Sequence, residues 1–98
     1  MADAGDVALL VPSLLRQFTG GAAELALAVE GPATVAELLD TVGAAHPIFN
    51  RRVRDETGAL RRYVNIYVAG EDVRRRDGLA TVVLPGQEVM VIQSVAGG

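Results

Sequence analysis

The segment T-V-A-E-L-L-D-T-V-G-A-A-H-P, residues 34–47, commits this chain to a helix more firmly than any other stretch commits it to anything. Thr34-Val35-Ala36-Glu37 has the form of a capping box: the Thr34 hydroxyl can accept from the Glu37 N–H, and the Glu37 carboxylate can reach back to the Thr34 N–H. Val35, Leu38, Leu39 and Val42 then fall at helical spacing on one face. Gly43 weakens the helix near its end. His46-Pro47 should stop it, because a residue before proline avoids the helical region. A helix with one apolar stripe must bury that stripe, and the flanking segments offer strands to bury it against.

Val7–Val11 is a short apolar run bounded by Asp6 and Pro12, which reads as a buried strand. Thr19-Gly20-Gly21 is a turn signal. Glu24–Val29 alternates Leu25, Leu27 and Val29 with smaller or polar residues and closes an N-terminal hairpin. Beyond the helix, Pro47–Arg62 is an arginine-rich excursion in which Ile48, Phe49 and Val53 could pin a short helical turn to the core, with Glu56-Thr57-Gly58 as a loop tip. Tyr63–Val68 is rich in β-branched and aromatic residues and reads as a strong strand. Ala69–Asp72 is expected to turn, with Val73 pairing briefly after it. Arg74–Gly78 is expected to be exposed, with Leu79, Val82 and Val83 buried beneath it. Pro85-Gly86 turns the chain into a last strand, Glu88–Gln93. The element order predicts an α+β domain: a mixed sheet of four to five strands covered on one face by one main helix. Residues 1–98 read as one domain, with 94–98 protruding as a tail.

Composition closes off several functions. With 98 residues and half of them hydrophobic, the chain can form a core without staples. It has no cysteine, which removes disulfides, thiolate metal ligands and a cysteine nucleophile together. The formal charge of −3 gives no reason to expect nucleic acid as a partner. Neither a secretory signal nor a membrane-spanning run is visible, so a cytoplasmic location and no membrane partner are expected. All nine basic residues are arginine, so no side chain can accept an isopeptide bond.

Side-chain chemistry is sparse. No Walker or dinucleotide-type glycine loop occurs. The single histidine, His46, cannot build a multi-histidine metal site, and it sits where a helix end favours a cation. Ser13 and Ser94 lack a nearby histidine. The arginine clusters at 51–54 and 74–76 read either as solubilising or as docking an acidic partner. No metal or cofactor is expected on this chain. What remains is the terminus, Ser94-Val95-Ala96-Gly97-Gly98. A carboxylate is a poor electrophile until ATP converts it to an acyl-adenylate. To reach a nucleotide inside another protein it needs a slender lead, which Gly97 and Gly98 supply because neither carries a Cβ. Five extended residues from Ser94 reach about 17 Å.

Those residues carry a family likeness. The chain resembles the ubiquitin-like sulfur carriers of the MoaD/ThiS family, and CysO-type carriers in particular. The likeness rests on the element order, on Tyr63-Val64-Asn65-Ile66-Tyr67-Val68, on Glu71-Asp72-Val73-Arg74, on Gly78-Leu79-Ala80-Thr81, on Leu84-Pro85-Gly86-Gln87-Glu88-Val89 and on Val95-Ala96-Gly97-Gly98. It implies a β-grasp (ubiquitin-like) fold and a carrier, not an enzyme. It further implies that an E1-like enzyme using ATP and Mg adenylates the Gly98 carboxylate and that a sulfur donor converts it to a thiocarboxylate. The acceptor would be a PLP-dependent cysteine synthase, with a metalloprotease releasing the product; these cofactors belong to the partners. The likeness also implies a register in which Val89 and Val91 face the core while Met90 and Ile92 face outward beside Tyr67. That outward set is either a docking surface next to the tail or an irregular second core layer. Val95 and Ala96 would be partner-binding with it. The sulfur could go to cysteine or instead to molybdopterin, thiamine or a thiolated secondary metabolite such as a thiosugar. A protein modifier and a plain binding module remain rival readings.

Overall fold

A computed structural model describes residues 5–94. Strand β1, Gly5–Leu10, and strand β2, Glu24–Val29, form the expected antiparallel hairpin. A six-residue 3-10 turn, Ser13–Phe18, lies between them and drives Leu15 into the core. A two-residue strand β3, Ala33–Thr34, leads into helix α1, Val35–Ala45. Helix α2, Pro47–Val53, follows at once. The remaining strands are β4, Val64–Val68, β5, Glu71–Asp72, β6, Val82–Val83, and β7, Glu88–Gln93. The main sheet runs β2-β1-β7-β4-β5, parallel between β1 and β7 and antiparallel elsewhere, while β3 and β6 pair separately. This is the mixed five-stranded β-grasp sheet with a main helix.

The capping box forms in full. The Glu37 N–H donates to the Thr34 hydroxyl at 3.1 Å, and the Thr34 N–H donates to Glu37 Oε1 at 2.8 Å. Thr34 also pairs with Val82, so the cap is tied to a second strand pair. Val35, Leu38, Leu39 and Val42 are buried against Val7, Leu9, Ile66, Val68, Val89 and Val91 from the sheet. Each fully buried side chain of this kind is worth roughly 1.5–3 kcal/mol relative to exposure.

Several expectations need correcting. His46-Pro47 ends α1, but Pro47 then occupies the first turn of α2, where its missing N–H costs nothing and its fixed φ helps. The excursion thus begins with a seven-residue helix, longer than the short helical turn expected there and docked on the core as expected. Phe49 and Val53 are buried, whereas Ile48 points to solvent. The turn after β4 is only Ala69-Gly70, both at positive φ (50° and 84°), as a two-residue hairpin demands. Glu71 and Asp72 pair back onto Val68 and Tyr67. Val73 makes no strand; it opens a short 3-10 turn and is buried. Of Leu79, Val82 and Val83, only Val83 is buried fully. Val82 is 52% exposed, because neighbours on a two-residue strand face opposite ways.

Gly43 has a role beyond weakening α1. A Cβ there would meet Asn50 of α2 at 2.9 Å from Nδ2 and 3.2 Å from Cβ. Swinging the amide away would not relieve the second contact. It would also break the bond from Arg54 Nε to Asn50 Oδ1 at 2.9 Å. Gly43→Ala is therefore expected to destabilise the protein by about 1 kcal/mol, since overpacking costs roughly 1–3 kcal/mol against about 1 kcal/mol of gained helix propensity. Urea unfolding checks the sign; a more stable variant would mean α1 and α2 do not pack this closely.

Candidate functional site

Strand β7 lies between β1 and β4 in the middle of the sheet. Its side chains alternate, with Val89 and Val91 in the core and Met90 and Ile92 on the opposite face, 37% and 39% exposed. Met90 is opposite Leu10 on one side and Tyr67 on the other, and Ile92 is opposite Asn65. Leu10, Met90 and Tyr67 thus form an apolar row across three strands. Glu24 stands beyond Leu10 and Asp72 beyond Tyr67, so carboxylates bound both ends of that row. The strand registers thus set Met90, Ile92 and Tyr67 together on the face away from the helix. Leu10 was not anticipated. Reading Val7–Val11 as buried on both faces hid it, whereas a period of two from Val7 and Leu9 would have turned Ala8 and Leu10 outward.

Leu10, Pro12, Arg16, Met90, Ile92 and Gln93 line a shallow, largely apolar depression of about 320 Å³. It lies where β7 leaves the sheet. Gln93 pairs with Val64, and the Ser94 N–H donates to the Tyr63 carbonyl at 2.9 Å. Ser94 is the last described residue; Val95, Ala96, Gly97 and Gly98 lie outside the described residues.

The arginines divide by task. Arg54 pairs with Asp40 at 2.7 Å, and Arg76 pairs with Glu71. Arg16, Arg61 and Arg74 donate to the main-chain carbonyls of Val11, Arg51 and Arg61 at 3.0, 2.8 and 2.9 Å. The Arg52 guanidinium lies 4.9 Å from the centre of the Phe18 ring. Much of the arginine-rich excursion is therefore bracing that fastens α2 and the loop after it. The Asp55 carboxyl is held below the usual carboxylate range, first by the Thr57 hydroxyl and then by the Thr57 and Ala59 N–H groups, with Arg61 adding its charge. These contacts make it a loop staple. His46 caps α1 through its backbone N–H to Val42 at 2.7 Å. Among the described residues no group of three or more His, Asp or Glu could hold a metal, and no helix is long and apolar enough to cross a membrane.

Comparison with known proteins adds what this geometry does not. A profile described as the ThiS family matches residues 9–98. The sulfur carrier protein CysO of Mycobacterium tuberculosis is 36% identical over 95% of this chain and 99% of its own length. A chain in the crystal structure of an Amycolatopsis orientalis BexX/CysO complex superposes with a TM-score of 0.78 at 36% identity, covering 94% of this chain and 99% of that one. SAMP1 of Haloferax volcanii superposes at 0.80 with 28% identity, over 96% of this chain and 100% of its own.

Proposed function

This chain belongs to the ThiS family, and from that premise we propose that it is a ubiquitin-like sulfur carrier that works through the Gly98 carboxylate. The observation that carries the proposal is its likeness to sulfur carriers named CysO along nearly the whole of both chains. In the proposed chemistry an E1-like enzyme with ATP and Mg lets a Gly98 carboxylate oxygen attack the α-phosphate, and pyrophosphate leaves. A sulfur donor then attacks the acyl carbon, AMP leaves, and a thiocarboxylate remains. Its sulfur is a nucleophile at neutral pH, and delivery to a PLP-dependent cysteine synthase, with a metalloprotease releasing cysteine, is the favoured continuation. Molybdopterin, thiamine and a thiosugar are the other acceptors.

The folded body contributes presentation. A central strand held on both sides is a rigid lead for Val95, Ala96, Gly97 and Gly98. The apolar row of Leu10, Met90 and Tyr67, with Ile92, is the surface we assign to the partner, since an exposed apolar patch beside a reactive end reads as a docking face. The occurrence of a relative in a BexX/CysO complex supports docking on another protein.

Intact-mass measurement after incubation with ATP, an E1-like activator and sulfide tests the proposal. Exchange of one oxygen for sulfur is the expected result; an unchanged mass with the cognate activator would refute it. The likeness to SAMP1, a small archaeal modifier protein, favours a second reading, conjugation of Gly98 to target proteins. A ladder of conjugates in cell extract would mark that outcome.

A further inference from the structure

The two edges of the main sheet are built differently. One edge is β5, which has two residues, and so short an edge strand offers little to pair with. The other is β2, which runs for six residues without a proline and, among the described strands, pairs only with β1. Two hydrogen bonds fix which way its main chain faces. The Val11 N–H donates to the Ala23 carbonyl at 2.8 Å, so Ala23 continues the bonded pairs of the β1–β2 ladder. The Ala8 N–H donates instead to the Gln87 carbonyl at 3.2 Å, on the β7 side, so Ala8 and Ala26 form a non-bonded pair. Bonded and non-bonded pairs alternate in an antiparallel ladder. Leu25, Leu27 and Val29 therefore bond to β1, while the N–H and C=O groups of Glu24, Ala26 and Ala28 point past the edge of the sheet. Among the described residues no backbone hydrogen bond outside that ladder reaches residues 24–30. Ala26 and Ala28 are exposed, and their methyl groups leave the main chain beside them open.

Charge decides what fits there. Asp6 lies opposite Ala28, Glu24 opens the strand and Glu30 follows it, and all three are exposed. No basic residue occurs in residues 5–10 or 24–30, and neither ion pair of the described residues involves these carboxylates. A second copy of the chain is a poor occupant. Two-fold pairing of β2 with β2 about Leu27 sets Glu24 opposite Glu30 of the other copy, and pairing about Ala26 sets the two on a diagonal. Like charges so placed are destabilising. An extended segment with arginine or lysine on its outer face meets the same carboxylates with opposite charge. Its other face can lay apolar side chains against Leu25 and Val29, which are half-buried. We propose that the β2 edge is a strand-addition site for an extended segment of a partner protein, alternating basic and apolar residues, whose main chain pairs antiparallel with Glu24, Ala26 and Ala28. In such pairing the main-chain bonds supply affinity and the alternate side chains supply selectivity. The site uses the outer side of β2, two strands away from β7, and is independent of any chemistry at Gly98.

Amide hydrogen exchange of the full chain, read by NMR, tests this with the acetylated and amidated peptide T-V-R-V-T-V-R-V as the probe. Its arginines can lie opposite Glu24 and Ala28, the latter beside Asp6 and diagonal to Glu30. In the free protein the amides of Ala26 and Ala28 are expected to exchange fast and those of Leu25 and Leu27 slowly. At about nine-tenths occupancy, exchange at Ala26 and Ala28 should slow about tenfold, with little change at Leu25 and Leu27. Ala26→Pro removes an outward N–H, at the kind of edge position where proline is tolerated, so it should abolish binding and keep the fold. Glu24→Gln combined with Glu30→Gln should weaken binding roughly two- to tenfold and lessen its salt dependence. This surface pair keeps the test decisive if Ala26→Pro does not fold. Unslowed exchange at Ala26 and Ala28 in excess peptide would overturn the proposal. So would equal binding of a peptide with glutamate in place of arginine, unweakened binding by the double variant, or a dimer in sedimentation that Ala26→Pro dissolves.

Discussion

Phe49→Ala should cost this protein about 3–5 kcal/mol, the usual range for removing a buried aromatic ring. Phe49 is fully buried, and it is the largest fully buried side chain of the core. It sits on α2, which reaches the rest of the protein through α1 and through the 3-10 turn at Ser13–Phe18. A domain of this length has a total stability of about 5–15 kcal/mol, so one ring accounts for a large share of it. Ile48→Ala, one position earlier, is the internal control. Ile48 is 50% exposed, and its replacement should stay within about 0.5 kcal/mol. Chemical denaturation of the pair measures the contrast. A cost below about 1 kcal/mol for Phe49→Ala would mean that α2 is not part of the cooperative core.

That contrast also marks where the sequence could and could not be read. A fixed period carries its own test: Val35, Leu38, Leu39 and Val42 are all buried, and in β7 the register that the family likeness implies, Val89 and Val91 inward with Met90 and Ile92 outward, is the one found. Long elements average over many side chains, so one ambiguous residue does not change the reading. Short ones have no such average. Pro47-Ile48-Phe49 holds two large apolar residues in a row, and only the docking angle of α2 decides which is buried. Val82 and Val83 pose the same choice on a two-residue strand. Pro47 predicts the stop of α1 at His46, and its fixed φ also starts α2. The arginine braces were not legible at all. Which carbonyl Arg61 or Arg74 reaches depends on how the loops fold back, and composition records only charge.

Under the proposed function, deletion of Gly98 is the sharpest functional prediction. Thiocarboxylate formation should fall below detection while thermal unfolding stays unchanged, because every buried apolar residue of the described core lies at or before Val91. Deletion does not remove a carboxylate; it moves it to Gly97, about 3.5 Å short. A misplacement of about 1 Å can cost on the order of a hundredfold, so a shift of a whole residue should abolish attack on the nucleotide. Gly97→Ala probes the second requirement, slenderness. Its carboxylate stays in place, and an added methyl in a fitted channel costs roughly 1–3 kcal/mol, or about 5- to 150-fold in kcat/KM for activation. Pyrophosphate release with the cognate activator reads both variants. Full activity of the deletion would take Gly98 out of the mechanism. Full activity of Gly97→Ala would leave the carboxylate in place but remove the channel as the reason for two glycines.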